Sequence, residues 1–372
     1  MLQIKASPFM PAVHLCLIFE AIGDMGGIAK VAYEDVVNAL QAGYRVTVVA
    51  QQLDARLRAD VEWLPLYVPR RLFLLKWATA RTFIRRAIGK RRFDLIHAHQ
   101  PQAASLADVF TCHYLTQVAY ERGCLESATT LRSTVIRLQQ LAALQLEESY
   151  YRAWNPKTHM VFCSHLLQTE FLRLYGLPPF NFTIDNACPP FIVRSSARVK
   201  TWAKDTSLPV IGYLGGLDER KGFRRLLQAV RDDPGLFLLM GGSRTENFVD
   251  PSLVGRMEAV GQVSDIGAFY ESCDVMVVPS FFDPNPMVVL EAVARGVPVI
   301  ASDGVGNLHH LLRSGAGVEW KRGDSLGGLV RDVLANKSSY TAGAERMAGK
   351  LSREHRAAQM LKVYQQAHHR GN

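Results

Sequence analysis

No run of about eighteen uncharged apolar residues, the length that a membrane-spanning helix needs, occurs in this sequence of 372 residues. A secretory signal is also missing, because Lys5 is followed by a short mixed stretch that leads directly into an apolar strand pattern at residues 14–19. We therefore expect a cytoplasmic protein without membrane spans. The hydrophobic fraction of 48% is sufficient to bury two cores.

Paired cysteines are lacking as well. The six cysteines are scattered, without a CxxC pair or a nearby histidine at metal-ligand spacing: Cys16, Cys112, Cys124, Cys163, Cys188 and Cys273. Most of them lie in or beside predicted strands, so we interpret them as reduced core thiols. We expect no metal site.

Acidic residues are absent between Arg70 and Arg92, where much of the net charge of +9 is concentrated. At about 100° per residue, apolar and basic residues separate onto two sides of a helix. The apolar side carries Leu72, Phe73, Trp77, Ala80, Phe83, Ile84 and Ala87, and the basic side carries Arg70, Arg71, Arg81, Arg85, Arg86 and Arg92. Such a helix either attaches to an anionic membrane surface or packs on a sheet with its arginines in solvent. No nucleic-acid motif accompanies the charge, so we expect no nucleic-acid partner.

The first half of the chain has a strand, turn, helix and strand, but it does not have a dinucleotide fingerprint. The strands are predicted at residues 14–19 and 46–50, with a glycine-rich turn at 23–27 and a helix at 28–41 between them. The regular GxGxxG is missing, and Gln51 and Gln52 stand where a ribose-binding acid is expected. These absences exclude a nicotinamide site.

A second unit of the same kind begins with a predicted strand at residues 210–214. It continues through a turn that contains Gly215, Gly216, Arg220 and Lys221 into a helix that runs to Val230. A lysine and free helix N–H groups at such a turn are what a diphosphate requires. The alternative for Lys221 is a solvated lysine at the start of a helix.

The most informative stretch lies between two predicted buried strands, at residues 275–278 and 297–301. Pro284 and Pro286 keep the intervening loop extended, since the residue before a proline leaves the α region. The pattern predicts a helix that begins at Pro286, is capped by Asn285 and is closed by Gly296.

Glu291 is the charged residue in the apolar part of this predicted helix. A buried carboxylate is costly unless it is hydrogen-bonded, and either the hydroxyls of a ligand or a salt bridge to Arg295 would satisfy it. A strand, a polar loop, a helix N-terminus and a carboxylate together indicate a pocket at the carboxyl end of a parallel sheet.

These motifs resemble the retaining glycosyltransferases of family four, which have the GT-B fold. The resemblance is carried by Pro279, Ser280, Asp283, Glu291, Ala292, Gly296 and Pro298. The family has two glutamates separated by seven residues, and here the first acid is Asp283. Gly216 replaces an arginine of the family pattern, and Asn307 stands near the place of a glutamate.

The resemblance implies an α/β protein with two Rossmann-like domains that face an interdomain cleft. The acceptor-side domain is expected at residues 1–190, and the nucleotide-sugar domain at residues 191–353. A closing helix within residues 354–372 is expected to cross back to the first domain. The polar tract at residues 194–207 is interpreted as the interdomain region.

The resemblance also implies roles for individual residues. In the first domain, Gly26 and Gly27 would lie between donor phosphate and acceptor, and His113 would either approach the donor sugar or only order its loop. His97 and His99 are interpreted as packed structural residues. In the second domain, the diphosphate would be surrounded by Gly215, Gly216, Arg220 and Lys221. The nucleobase would lie beside Val263, and the ribose would bind to Glu291. The donor sugar would be held by Asp283, Asn285, Pro286, Met287 and Val288. His113, Asp283 and Lys221 are the expected catalytic residues.

The implied activity is transfer of a sugar, with retention, from a nucleoside diphosphate sugar to a hydroxyl acceptor. A UDP-sugar is favoured over a GDP-sugar, and neither a cofactor nor a metal is expected. The acceptor would be lipid-linked or part of a cell-surface polysaccharide, lipopolysaccharide or glycoconjugate, which suits a protein on the inner face of the membrane. A nucleotide-sugar epimerase on the same fold and a non-catalytic glycosyltransferase-like subunit are the alternatives.

Overall fold

The computed structural model describes residues 13–23, 26–68, 73–124, 131–192, 201–243 and 245–371. The chain divides into two compact units. The first comprises Met1–Gln117, Ser127–Asp185 and Glu354–Asn372, and the second comprises Val118–Glu126 and Asn186–Arg353. Arg70, Arg71, Leu72 and residues 194–200, the first half of the predicted interdomain tract, lie outside the described residues.

The first unit is built on a parallel sheet with helices between its strands. Its strands are β1 (His14–Ile18), β2 (Ala21–Ile22), β3 (Arg45–Ala50), β4 (Gln52–Leu53), β5 (Glu62–Pro65), β6 (Leu95–Ala98), β7 (Val109–Cys112), β8 (His159–Phe162) and β9 (Asn181–Thr183). Its helices are α1 (Gly27–Gln41), α2 (Phe73–Ile88), α4 (Leu131–Arg152) and α5 (His165–Tyr175), while α3 (Thr116–Glu121) runs across the division between the units.

Seven strands of the first unit form one sheet in the order β5-β3-β1-β6-β7-β8-β9. Leu15 of β1 pairs with Val46 on one side and with Leu95 on the other. The central strands are buried along almost their whole length, as expected of parallel strands covered on both faces. Because all these strands are parallel, the residues that follow β6 and β7 meet at one edge of the sheet.

The second unit repeats the arrangement with a six-stranded parallel sheet in the order β12-β11-β10-β13-β14-β15. Its strands are β10 (Val210–Leu214), β11 (Phe237–Gly241), β12 (Met257–Ala259), β13 (Val275–Val278), β14 (Val299–Ala301) and β15 (Gly317–Glu319). Its helices are α6 (Phe223–Asp232), α7 (Ile266–Ser272), α8 (Met287–Ala294), α9 (Leu308–Ser314), α10 (Leu326–Ala335) and α11 (Lys337–Lys350).

The last helix, α12 (Arg353–Gly371), belongs to the first unit although it follows the second one in sequence. It buries Met360, Val363, Tyr364 and Ala367 in the core that β1, β3 and α1 also line. Among the helices of the described residues, none combines the length and the apolar character that crossing a bilayer requires.

The predicted start of the central helix is wrong by one residue. Pro286 has an extended backbone, with φ −67° and ψ 124°, and it precedes the first helical residue, Met287. Asn285 is therefore one position too early to cap the helix, and its side-chain oxygen is used elsewhere, as a hydrogen-bond acceptor for Asn307. The predicted closure is confirmed, because Gly296 follows the last turn with a left-handed φ of +63°.

Candidate functional site

Two of the predicted site residues form an ion pair in the second unit. Lys221 follows β10, Asp283 follows β13, and these neighbouring strands carry both to the same edge of the sheet. The Nζ of Lys221 lies 2.5 Å from Oδ2 of Asp283. The two side chains are mostly buried, with exposed fractions of 20% and 12%. A charged pair in such surroundings needs further polar partners, which a bound anion or a hydroxyl can supply.

The loop that carries Asp283 is held in place by the turn after β14. The backbone N–H of Asp283 donates to Gly304 O at 2.8 Å, and the N–H of Gly306 donates to Asp283 O at 3.0 Å. The fully buried Asn307 donates from its side chain to Oδ1 of Asn285 at 2.7 Å. These bonds fix the backbone of the loop, and the carboxylate itself is held by Lys221. The sequence showed Asn307 only as a residue that differs from the family pattern, and it did not predict this hydrogen bond.

Helix α8 begins directly after this loop. The backbone N–H groups of Met287 and Val288 lie in its first turn, where no carbonyl of the helix can accept from them. They form a patch of hydrogen-bond donors that favours an anion or a hydroxyl oxygen. Except for the half-buried Met287, Val288 and Glu291, the helix is buried.

The buried Tyr270 of α7 holds the Glu291 carboxylate. The Tyr270 hydroxyl donates to Oε2 of Glu291 at 2.9 Å. Arg295, the partner suggested by sequence spacing, forms an ion pair with Glu271 at 3.2 Å. Burial, followed by the nearby Glu291 charge, raises the pKa of Tyr270 well above its usual value, so the tyrosine stays a hydrogen-bond donor. Tyr270 was not identified from the sequence as a site residue.

The glycine turn after β10 brings the cations close to the Asp283 loop. Gly222 has a left-handed φ of +68°, and a Cβ on it would lie 2.0 Å from the carbonyl oxygen of Pro279. The Asp218 side chain accepts from the backbone N–H of Lys221 at 3.1 Å, which fixes the turn. Arg220 also contacts the Asp283 loop, with Nη1 3.5 Å from Phe282 O.

The remaining predicted residues of the second unit lie at the ends of the neighbouring strands. Gly215 donates its N–H to Gly241 O at 2.9 Å, and Gly216 accepts a 2.5 Å hydrogen bond from the Tyr213 hydroxyl. Val263 packs against the core beside Gly241, where an added Cβ would lie 2.6 Å from its side chain. The structure thus gathers these residues at the carboxyl edge of the sheet.

His113, Gly26 and Gly27 belong to the first unit. Gly26 precedes α1 with φ +132°, a backbone conformation that a residue with a Cβ rarely adopts, and Gly27 is the first helical residue. His113 follows β7, and its Nε2 lies 2.9 Å from Nδ1 of His99. The expectation that His97 and His99 are packed, hydrogen-bonded residues is confirmed, because both are buried and bonded.

His113 lines a cavity of about 200 Å³ in the first unit. The cavity wall is largely aromatic and apolar, with Phe19, Trp77, Phe110 and Tyr151, and it also carries the buried Glu147 of α4. The carboxylate of Glu147 accepts from Thr116 N at 2.7 Å and from Thr116 Oγ1 at 2.5 Å. Burial raises its pKa to about 7. Sequence reasoning missed Glu147, although it lies four residues after the buried Ala143 on the same face of the helix.

Solved structures show which fold this chain has. The chain superposes on sucrose-phosphate synthase from Thermosynechococcus elongatus with a TM-score of 0.74 and 22% identity, covering 95% of this chain and 98% of that one. It superposes on WaaG, a glycosyltransferase involved in lipopolysaccharide biosynthesis, with a TM-score of 0.69 and 16% identity. This superposition covers 91% of this chain and 95% of WaaG. The comparison with HepE from Anabaena in complex with UDP-glucose gives a TM-score of 0.67 and 15% identity, and it covers 95% of this chain and 99% of HepE. The two parallel-sheet units are therefore those of the GT-B class.

Sequence comparisons identify the family within this class. The model of glycosyltransferase family 4 matches residues 25–184, and that of glycosyl transferases group 1 matches residues 196–350. The chain belongs to the family 4 glycosyltransferases, and both the predicted family and the predicted fold are confirmed.

Curated relatives support the same assignment. The chain is 32% identical over 158 residues to a lipopolysaccharide core biosynthesis glycosyltransferase of Rhizobium meliloti, a match that covers 39% of this chain and 46% of the relative. It is 25% identical to a D-inositol 3-phosphate glycosyltransferase of Salinispora tropica, with 93% of this chain and 82% of the relative covered. For the Rhizobium protein the match thus spans about half of the relative's length.

Proposed function

We propose that this protein transfers a sugar from a nucleoside diphosphate sugar to a hydroxyl acceptor, with retention at the anomeric carbon and without a metal ion. The observation that carries the proposal is the Lys221–Asp283 pair, set beside the first turn of α8 at the carboxyl edge of a parallel sheet. Lys221 and the free amides would stabilise the charge that develops on the leaving diphosphate. Without a covalent glycosyl-enzyme intermediate, retention would have the acceptor attack from the face that the diphosphate leaves, so that a phosphate oxygen takes the acceptor's proton.

The other residues of the second unit would bind the donor. Asp283 would accept from sugar hydroxyls while it aims Lys221 at the diphosphate, and Glu291, oriented by Tyr270, would accept from the ribose hydroxyls. The complex of HepE with UDP-glucose supports a UDP-sugar as the donor. The lipopolysaccharide and inositol-phosphate glycosyltransferases among the relatives support a hydroxyl acceptor in cell-surface glycan or glycolipid synthesis.

The test of the donor site is binding of UDP-glucose measured by calorimetry. We expect Lys221→Ala and Glu291→Ala to weaken binding about 10- to 100-fold, the loss that follows from one hydrogen bond to a charged group. Lys350→Ala, which removes an exposed lysine from the same unit, is the matched control and should bind as the wild type does. Unchanged affinity in both site variants, with the fold intact by circular dichroism, would remove the donor site.

Helix α2 supports the further proposal that the first unit attaches to an anionic membrane surface. Arg85 and Arg86 are exposed on it, while Ala80 and Ile84 are buried against the unit. A basic side chain near an anionic bilayer contributes about 1 kcal/mol, so removing two should weaken vesicle binding roughly 30-fold. The measurement is co-sedimentation of an Arg85→Gln/Arg86→Gln variant with phosphatidylglycerol vesicles. An Arg152→Gln/Arg173→Gln variant, which loses two other exposed arginines, should sediment as the wild type does. Equal binding to neutral phosphatidylcholine vesicles would contradict the proposal.

A further inference from the structure

A chain of polar contacts runs from the C-terminal helix of the first unit to His113. Arg356 of α12 donates two hydrogen bonds to the carboxylate of Asp35 in α1, from Nη1 at 2.5 Å and from Nη2 at 3.0 Å. Oδ2 of Asp35 lies 3.5 Å from Nε2 of His99, whose Nδ1 lies 2.9 Å from Nε2 of His113. The two imidazole rings are nearly parallel, with an interplanar angle of 15°. Asp35, His99 and Arg356 are buried, so water does not compete for these contacts.

This cluster is already neutralised within the protein. Asp35, His97 and His99 bring three metal-ligand atoms close together, but both oxygens of Asp35 accept from Arg356. The nitrogens of His97 are also occupied, Nδ1 by the Tyr364 hydroxyl and Nε2 by Thr111 Oγ1, each at 2.8 Å. A guanidinium therefore supplies the positive charge that a metal ion would bring. The cluster is a buried polar network in which the Asp35–His99 link is an electrostatic contact at 3.5 Å, longer than a hydrogen bond, and its open end is His113.

The network determines which ring nitrogen of each histidine carries the hydrogen. Burial lowers the pKa of His99 well below its usual value and lowers that of His113 to about 3, so each ring is neutral and carries one N–H. The Asp35 carboxylate only accepts, and even at 3.5 Å it attracts an N–H and repels a lone pair. The hydrogen of His99 is therefore on Nε2, and its Nδ1 accepts. His113 must then donate from Nε2, which leaves its Nδ1 without a hydrogen.

The Nδ1 of His113 is the nitrogen that remains for a ligand. It makes no hydrogen bond to any residue that the structure describes, and the ring lines the cavity of the first unit. We propose that Asp35, acting through His99, holds His113 as a hydrogen-bond acceptor that receives an O–H group of the bound substrate. A phosphate or carbonyl oxygen at this position would meet a lone pair, so the site selects a hydroxyl. Asp35 and His99 are positioning residues, and the contact between His113 and a substrate hydroxyl rests on the proposed glycosyl transfer.

The decisive experiment measures the tautomers in the ligand-free wild-type protein. Two-bond proton–nitrogen correlation spectra of protein labelled with ¹⁵N-histidine distinguish a protonated from an unprotonated ring nitrogen. The His113 signals are assigned by their loss in His113→Asn. We expect a protonated Nε2 and an unprotonated Nδ1 for both His99 and His113. A hydrogen on Nδ1 of His113 would overturn the proposal.

A variant tests whether Asp35 is the cause. Asp35→Asn alone would leave the buried Arg356 without a counter-charge, and the amide would turn its oxygen toward the guanidinium. We therefore use Asp35→Asn/Arg356→Gln, which removes both charges, with circular dichroism to show that it is folded. Without the carboxylate, His99 is no longer confined to one tautomer. The same effect is known from catalytic triads, where an Asp-to-Asn change leaves the imidazole hydrogen on the wrong nitrogen. We expect His113 to lose its single Nε2–H population, and an unchanged population would exclude Asp35 as the cause.

The control is Thr111→Val, which removes a buried hydroxyl bonded to His97 and leaves the Asp35–His99–His113 chain intact. It should keep the His113 tautomer of the wild type, and a change there would assign the effect to general packing and overturn the specific role of Asp35. The spectra need no substrate, so they are independent of transferase activity. Failure of UDP-glucose to bind would instead reject the proposed function.

Discussion

Glu147 gives the first unit a pH dependence that a single residue can account for. Its pKa is raised to about 7 by burial, above the ordinary carboxyl value, so between pH 4.5 and 7 the folded protein binds a proton that the unfolded chain releases. The free energy of unfolding should therefore fall as the pH rises through this window, by up to about 3 kcal/mol in total. Urea denaturation at pH 5 and pH 8 measures the change.

Glu147→Gln should remove the pH dependence that comes from residue 147, since an amide does not titrate. As the pH rises from 5 to 8, the free energy of unfolding of the variant should therefore increase relative to that of the wild type. The neighbouring Glu148 is the matched control, because its exposed carboxylate pairs with Arg152 on the surface of the same helix. Glu148→Gln should track the wild type. If the difference between Glu147→Gln and the wild type is the same at both pH values, Glu147 does not titrate in this range.

At the residue scale, the sequence identifies charged groups better than it identifies their partners. Asp283 and Lys221 are recognised because each stands in a short motif, but they lie 62 positions apart in the sequence, which hides their ion pair. Asp35 and Arg356 are separated by 321 residues and lie in no motif. The sequence feature that could have identified Asp35 and Arg356 is that each interrupts the apolar face of a helix. Asp35, for example, lies between the buried Ala32 and Ala39. Tyr270, which holds Glu291, looks like an ordinary core aromatic.

At the scale of elements, Gly222 allows the start of α6 to approach the end of β13. Its Cβ would lie 2.0 Å from Pro279 O, and its φ of +68° is unfavourable for any residue with a side chain. We expect Gly222→Ala to lower the free energy of unfolding by about 2 to 5 kcal/mol, through backbone strain and overpacking together. Chemical denaturation followed by fluorescence is the measurement. UDP-glucose binding should also weaken, because Lys221 is the adjacent residue.

A substitution at Gly255 separates the cost of backbone strain from the cost of overpacking. This glycine has a similar φ of +76° in the same unit, but a Cβ there would meet nothing within 4 Å. Gly255→Ala should therefore show the backbone cost alone, about 1 to 2 kcal/mol, with UDP-glucose affinity unchanged. Equal losses of stability in both variants would mean that the close approach to Pro279 adds nothing.

Elements could be predicted wherever a local pattern was strong. The strand at residues 275–278 and the strand at residues 210–214 agree with β13 and β10 residue for residue, because apolar, β-branched runs bounded by turn residues define them. The start of α8 was placed one residue early because Pro286 suits either the cap or the first helical position. The sequence reading did not identify α10 and α11, whose glycines and small residues weaken the helical pattern.

At the scale of the whole molecule, pattern and resemblance together led to the two parallel sheets, but strand order required the structure. Short strands such as β2, β4, β9 and β12, of two or three residues each, carry too few side chains to show a period of two. The cavity beside His113 could not be predicted either, since its wall combines residues from distant parts of the chain. Long-range packing, unlike local periodicity, leaves no mark in a single sequence.

The position of α12 has a consequence for biosynthesis. The helix supplies Met360, Val363, Tyr364 and Ala367 to the first core and Arg356 to the buried Asp35, yet the ribosome makes it only after residues 186–353 of the second unit. Domains usually fold in the order in which they are translated. Here the earlier unit must wait with an unfilled groove and an uncompensated acid, while the later one can close first. We therefore expect the second unit to complete its fold first, and the amino-terminal unit to complete its core only after translation has passed Ala367.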